Sequence, residues 1–581
     1  MPLTELTAPL GLKRAAHLLH RATFGPTKDQ IDVFATYTPA QAVTQLFGQA
    51  LPDPILPIDP ETGTEWVLTG TTDANSGDSD LQEFFKGWAL GQMLSTGITP
   101  GKSLAYSARE KIVFFMHSVL TTIQTKVDNS RSLYFQNQLF RQFALDKTLA
   151  ATVNFKELTK KICVDNAMLR LLDGNLNVKG SPNENYGREL HELYTIGRGL
   201  EGTLPPVTDP GDYFLYKELD VQQAAKVLSG WEVDITFSNI DPDTQLPRGK
   251  VRGSPTNASA HDNTIKQFSE RFNNIIIQPD PILLNGTDAT EASALDEISQ
   301  LIESIYSKPE TARNICRRIY RHFVYHSIDT ALDNSVIQDM ATTFTNNGFK
   351  LQPVLEELFK STHFYEAAAG VDDDSFGGII KSPLDLMIGT YRFYNLQLPD
   401  PTAAAADFYE KTNDMIRTIS KMGMNFYEPF DVAGYDAYHQ FPIYHRSWIS
   451  TNFLTERYQF IRNLMGQAMP VAGIDVVGFV QNNFSNATAS DARLLIIELA
   501  KYLLPVNDNL TFDTAADDSS GLTAERMNYF LTAFLKSPQI DPDPEGSWTF
   551  RWNNPVDMEV VINQLESLLN TMMQSPEYQL F

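Results

Sequence analysis

Apolar positions along this chain recur at helical rather than strand spacing. Leu12, Ala15, Ala16 and Leu19 stand at i, i+3, i+4 and i+7, which places them on one face of a helix. Phe24-Gly25-Pro26 ends that helix, and residues 27–47 read as a second helical stretch. Helical patterning resumes over residues 81–172, with an interruption at 97–102, and returns at 217–231. Ala312, Ile315, Cys316, Ile319, Tyr320 and Phe323 trace another amphipathic face. The last helix opens at Asn554-Pro555, a capping residue followed by a proline suited to the first helical position. It carries the stripe Met558, Val561, Ile562, Leu565, Leu568, Leu569 and Met572.

Between these elements the chain turns to Pro, Gly, Thr and Asp at 51–80 and again at 201–213. Residues 234–285 are rich in turn formers, with short β-like runs such as Asn274-Ile275-Ile276-Ile277 that fit one small hairpin. Residues 367–378, with Asp372-Asp373-Asp374, read as a mobile linker. The predicted fold is therefore all-α or α-dominated: a large multi-helical globular domain with loop insertions and a small β hairpin. Its expected parts are N-terminal helices (1–50), a loop insertion (51–80), a central helical core (81–231), a loop-rich insertion (232–290), a second helical part of the main domain (291–470) and an acidic C-terminal helical portion (471–581).

Size and composition narrow the picture. A chain of 581 residues, 42% of them hydrophobic, buries a substantial core without disulfide or metal. Its two cysteines, Cys163 and Cys316, form neither a disulfide framework nor a cysteine-rich zinc site and read as buried free thiols. The net charge of −25 repels phosphate backbones and anionic lipid, which argues against a nucleic-acid partner. Residues 471–581 hold fifteen acidic and five basic side chains, a solvated acidic surface. No run approaches the ~18–20 apolar residues that span a bilayer. The N-terminus lacks the basic start and apolar run of a signal peptide, so the expected compartment is the cytoplasm, with export by another route left open.

Several strings recur in an order that carries a resemblance. They are His17-Leu18-Leu19-His20-Arg21-Ala22-Thr23-Phe24-Gly25, then Asn183-Glu184-Asn185-Tyr186-Gly187-Arg188-Glu189-Leu190 with Glu192-Leu193, and Asp220-Val221 with Ser229-Gly230-Trp231. His261-Asp262, Lys381-Ser382-Pro383 and the ending Ser575-Pro576-Glu577-Tyr578-Gln579 complete the set. Together they resemble the bacterial domain-of-unknown-function family 1800 over nearly the whole chain. The resemblance implies a mostly helical fold of unassigned activity. It also implies export of many members, and a neighbouring partner family similar to the alkaline-phosphatase superfamily; a homo-oligomer is the other partner expectation. Relatives often carry a His-x-His pair where this chain has His117-Ser118-Val119, so the second histidine is missing. Relatives also often place Gly-Trp where this chain has Gly434-Tyr435.

The densest candidate chemistry lies in the Asn183–Glu192 string. At ~100° per residue, Glu184, Arg188, His191 and Glu192 share one helix face. Two carboxylates, a guanidinium and an imidazole within one helix length can support acid–base chemistry if their environments split the carboxyl pKa values. The structural alternative is a set of i, i+4 ion pairs that lock helices. Upstream, Asp173, Asn175, Asn177 and Glu184 take places one, three, five and twelve of a calcium-loop pattern, although Val178 stands where that pattern needs glycine. They are candidate oxygen ligands for a divalent cation, calcium or magnesium, against an ordinary turn. His322 and His326, four apart, form half of a candidate metal site, against packing histidines. Arg313, Arg317 and Arg321 make a basic stripe expected to dock on internal carboxylates such as those of the Glu184–Glu192 helix, the rival being an anion site. Seven aromatic residues between Tyr427 and Trp448 fit a packed loop or a surface for sugars or a protein. No Walker, Gly-x-Ser-x-Gly or Rossmann motif is present. Two functions stay open: an acid–base or metal-assisted hydrolase or lyase centred on Glu184, Arg188, His191 and Glu192, and a non-catalytic scaffold or assembly subunit.

Overall fold

Thr38-Pro39 divides what the periodicity reads as one helix over 27–47. A residue before proline is pushed out of the helical region, and Thr38 is extended, with ψ 159°. Two helices result, Lys28–Ala35 and Pro39–Phe47. Each is opened by a threonine that caps the N3 amide while a glutamine, Gln30 or Gln41, caps the threonine amide in return.

The computed structural model describes residues 3–72, 76–145, 153–207, 209–366, 376–465, 473–516, 521–536, 540–554 and 558–581. Most of the 367–378 stretch, and Pro555, lie outside these described residues. Among the described residues the fold is helix-dominated, with two small two-stranded antiparallel sheets. Where one hairpin is expected there are two strand pairs: Lys266–Gln267 with Ile276–Ile277 falls within the turn-rich 234–285 region, while Trp231–Glu232, which pairs with Lys250–Val251, precedes it and ends the 217–231 stretch as a strand, its helix stopping at Val227.

The helix Pro100–Val119 runs through the centre and is buried from Leu104 to Val119. It packs on Ser130–Ala144, Pro39–Phe47, Asp78–Met93, Gly11–Ala22 and Pro309–Phe323. Burying it buries its charges, so each has a partner. Arg141 donates from Nε and Nη2 to the two oxygens of Glu110 (2.9 and 2.6 Å), and Lys111 pairs with Asp385. One continuous apolar core links these helices to the C-terminal ones. There Met558–Met573 packs on Ala524–Phe534, Val476–Asn483 and Thr451–Met465. Of its predicted stripe, Ile562 lies outside the core, 38% exposed.

The 232–290 region is pinned to the helix Glu291–Tyr306 by buried charge. Glu297, fully buried, accepts from His261 Nε2 at 2.9 Å and pairs with Lys266, which is also fully buried. Gly230 makes the junction feasible. Its φ is +84°, and a Cβ there would stand 2.4 Å from the His261 nitrogen.

Both cysteines are buried and unpaired, and burial pushes the Cys163 thiol up to about 12. Among the described residues no helix is long and apolar enough to cross a membrane.

Candidate functional site

Three asparagines shape the entry to the site. Asn177 Oδ1 accepts from the Asn183 amide (3.0 Å) while its Nδ2 donates to the Ala225 carbonyl (2.7 Å). Asn183 Oδ1 accepts from the Asn185 amide (3.0 Å), and Asn185 Nδ2 reaches the Leu172 carbonyl (3.3 Å). The helix that follows, Asn185–Glu189, is anchored by Tyr186, whose hydroxyl donates to the Ile162 carbonyl at 2.7 Å. It approaches the helix Glu218–Val227 closely at Gly187, where a Cβ would lie 2.9 Å from the Val221 carbonyl oxygen.

At Leu190 the winding changes. Leu190–Tyr194 form a π-helix, a feature found frequently at functional sites. The wider turn rotates every later side chain away from the position that ~100° per residue assigns it. Glu184, Arg188, His191 and Glu192 therefore do not converge. Arg188 donates to both Glu218 oxygens, to the Tyr213 hydroxyl (3.3 Å) and to Glu184 (3.4 Å). The Arg188 hydrogen bond lowers Glu218, while burial and the Glu218 carboxylate beside it raise Glu184. His191 turns inward. Its Nδ1 donates to the Gly187 carbonyl (2.7 Å), and Nε2 is buried without a partner among the described residues, between the Tyr216 and Phe272 rings. Burial pulls its pKa down to about 4. Glu192 accepts from the Tyr216 hydroxyl (3.2 Å) and pairs with the exposed Arg198.

The residue left over is Glu189, the last of the α-helical turn. It is half-buried and makes no hydrogen bond or ion pair among the described residues. Burial, then the Glu192 carboxylate, lifts its pKa to about 7, with Asp431 adding to the rise. Tyr194, whose hydroxyl lies 3.5 Å from the Val432 carbonyl, senses Glu189, Arg318 and Asp431. Arg318, on the helix Pro309–Phe323, likewise has no hydrogen bond or ion pair among the described residues, and burial lowers its pKa to about 10. His439, in the aromatic loop, lies near Arg318, Asp431 and Asp436; burial lowers it, and its Nε2 donates to the Gly434 carbonyl at 3.3 Å. Glu189 and Arg318 each lack a hydrogen bond or ion pair among the described residues, and Tyr194, on the π-helix, senses both. A carboxyl that titrates near neutrality can give and take protons there, and a guanidinium can hold a developing negative charge.

The aromatic loop is held from beneath. Tyr427 stacks on the buried His117 (4.2 Å between centroids) and accepts the Asn137 amide (3.0 Å) on its hydroxyl. Its backbone N–H donates to the Tyr435 hydroxyl (2.8 Å). Phe430, beside Asp431, is 88% exposed.

A family model described as "Protein of unknown function (DUF1800)" matches residues 17–580. The chain belongs to the DUF1800 family. No curated protein and no solved structure matches it. In this DUF1800 chain the strings around Arg21, Lys381 and Tyr578-Gln579 gather at a different place, a buried hub. Arg21 donates to the Val324 and Phe581 carbonyls (2.9 and 2.5 Å). Lys381 donates to the Tyr578 carbonyl (2.7 Å), and Arg457 joins Gln579 Oε1 (2.8 Å) to the Lys381 carbonyl (2.7 Å).

Among the described residues no three His, Cys, Asp or Glu side chains gather in a group that could hold a metal. Asn177, expected as a cation ligand with Asp173, Asn175 and Glu184, is buried and has its amide engaged by the backbone as above. His322 and His326 do not share a helix face, because the helix stops at Phe323 and Val324 leaves the helical region. His322 packs against Phe115 and Tyr438, whereas His326 Nδ1 pairs with His445 Nε2 (2.9 Å). The arginine stripe docks on carboxylates, but not on those of the Glu184–Glu192 helix. Arg317 takes both Asp333 oxygens (2.6 and 3.0 Å) and Glu310, Arg313 takes Asp333, and Arg321 takes Glu201. Glu189 escaped the sequence reading because it stands off the i, i+4 face of Glu184, Arg188 and Glu192, and nothing in the chain shows that it would be left without a partner. It missed Arg318 because the stripe at i+4 spacing passes through its neighbour Arg317.

Proposed function

We propose that the protein is an acid–base hydrolase or lyase whose proton-transfer group is Glu189. The observation that carries this reading is a half-buried carboxyl without a hydrogen bond or ion pair among the described residues, just before a π-helix whose Tyr194 senses both it and Arg318. Glu189 exchanges the proton, Arg318 holds developing negative charge, and Tyr194 and His439 complete the polar surround. Glu184, Arg188, His191 and Glu192 enter as positioning residues. Arg188 ties the helix to Glu218, His191 ties the π-turn back to the Gly187 carbonyl, and burial, with the Glu192 carboxylate adding to it, keeps Glu189 protonatable near neutral pH. The exposed Phe430 ring offers a face on which a sugar or other planar substrate can lie.

The reading is tested by titrating 13C-labelled glutamate carboxyls by NMR in the native protein and in Glu189→Gln. One resonance absent from the variant is expected to titrate near pH 7. A midpoint near 4.5, the ordinary glutamate value, overturns the assignment. On a panel of chromogenic esters, glycosides and polyuronates, any turnover is expected to fall by about 10²–10⁴ in the variant.

A second reading, a non-catalytic scaffold or assembly subunit, is favoured by the Arg188–Glu218–Tyr213 network, which ties this helix to the next. Its partner would be a second copy or the alkaline-phosphatase-like neighbour that the family resemblance implies. Under that reading Glu189→Gln changes no reaction, while Arg188→Ala abolishes assembly in gel filtration or pull-down.

A further inference from the structure

Three separate segments of the chain meet at one pair of imidazoles. His326 follows the helix Pro309–Phe323, His445 lies in the short helix Tyr444–Ile449 of the aromatic loop, and Ile380 bridges Leu580 just before the helix Pro383–Phe393. Both rings are buried, with centroids 4.5 Å apart. The Ile380 N–H donates to His445 Nδ1 at 3.2 Å, and His445 Nε2 stands 2.9 Å from His326 Nδ1.

These contacts dictate where the protons sit. A backbone N–H only donates, so His445 Nδ1 is bare and its ring carries its proton on Nε2. That proton is donated to His326 Nδ1, which is bare in turn, so both rings are neutral. An added proton on His326 Nδ1 sets two N–H groups against each other, and one on His445 Nδ1 opposes the Ile380 N–H. No placement of an extra proton on the pair keeps both hydrogen bonds.

The surroundings oppose charge as well. Arg446 from the same loop, Arg321 from the helix Pro309–Phe323 and Arg21 from the helix Gly11–Ala22 act on the pair. A small cavity beside His445 adds Lys111 and His322, while the acids nearby are taken, Asp385 by Lys111 and Glu201 by Arg321. Tyr325 and Tyr444 pack their rings against His326. Burial, then the Arg446 and Arg321 guanidiniums, lowers His326 to about 4; burial, then His326 and the guanidiniums, lowers His445 to about 3.

We propose that the His326–His445 pair is an acid-released latch, which fastens the aromatic loop to the helical body while both imidazoles are neutral and lets it go when they take up protons. The latch does not depend on the role of Glu189. Once released, the rings titrate near their ordinary 6.5, so the latch holds fully above that pH and is lost as pH falls toward about 4. Below 6.5 each ring favours release about tenfold per pH unit.

The test is hydrogen–deuterium exchange of the full chain at pH 7.5 and 5.5, both above the isoelectric point of about 4.8, with rates corrected for their intrinsic pH dependence. Protection of the 376–384 and 440–449 peptides is expected to fall about tenfold or more at pH 5.5, while the helix Pro100–Val119 keeps its protection. His445→Phe, which keeps a ring but neither hydrogen bond, is expected to leave both peptides weakly protected at either pH. His326→Gln, whose amide oxygen still accepts from His445 Nε2, is expected to show a smaller pH effect than the parent. Equal protection of the parent at both pH values, an equal loss in the helix Pro100–Val119, or a pH effect as large in both variants as in the parent overturns the latch.

Discussion

Glu189 and Glu297 are both glutamates set against the helical body, and the fold treats them in opposite ways. Glu297 is sealed, with His261 and Lys266 on its carboxylate and no solvent access. Glu189 is half-buried, keeps no partner among the described residues and is lifted toward neutrality. A buried charge with its counter-charges is an anchor, costly to disturb and chemically inert. A partly buried carboxyl without them is a proton store, unfavourable for the fold and useful for chemistry. The difference does not lie in the residue type or in motif membership, since His261 and Glu189 both stand in family strings. It lies in whether the surrounding elements deliver a cation.

The comparison breaks first at Glu297. Glu297→Ala leaves the buried Lys266 ammonium uncompensated and is expected to cost about 3–5 kcal/mol in denaturant unfolding; a loss below about 1 kcal/mol would mean that the 232–290 region is held by something else. Arg317 sharpens the same point on another helix. Arg317→Glu sets a third carboxylate against Asp333 and Glu310 and is expected to cost about 3 kcal/mol or more, whereas a change within about 0.5 kcal/mol would show that the stripe is not an anchor. Glu189→Gln sits at the other extreme. It removes no ion pair and relieves the cost of ionising a half-buried carboxyl, so the variant is expected to be more stable than the parent at pH 7, by about 1–3 kcal/mol.

The sign of the pH dependence separates the two glutamates further. The folded pKa of Glu189 lies above its ordinary 4.5, so the folded state holds the extra proton between about pH 4.5 and 7. Its stabilising contribution is complete below 4.5 and lost as pH rises through 7. Parallel unfolding curves of the parent and Glu189→Gln should therefore diverge over that window, the parent losing ground as pH rises. Superimposable pH dependence would remove the proton store.

Much of the helical body was legible in the chain. The Ala312–Phe323 stripe is the buried face of a real helix, and the β-like run near Ile276 is a strand of a small antiparallel pair. These follow from local spacing, because one apolar face at helical period buries itself whatever it packs against. The division at Thr38-Pro39 was written in the proline and overlooked by periodicity alone. The site was legible only as an address. The Asn183–Glu192 string marks the right segment, but it points to Glu184, Arg188 and His191 rather than to Glu189.

What the sequence by itself determined was a helical protein with a turn-rich insertion and a charged segment worth attention, since propensity, capping and apolar period are properties of neighbours in the chain. Which carboxylate finds a cation, and which is left without one, was decided only in three dimensions. Glu218 lies 30 residues from Arg188 and Lys266 lies 31 residues from Glu297, and a one-residue widening of the helix at Leu190 turns a face that no periodicity could place. Electrostatic partnership acts through space over a few ångströms, and only the tertiary fold sets those distances.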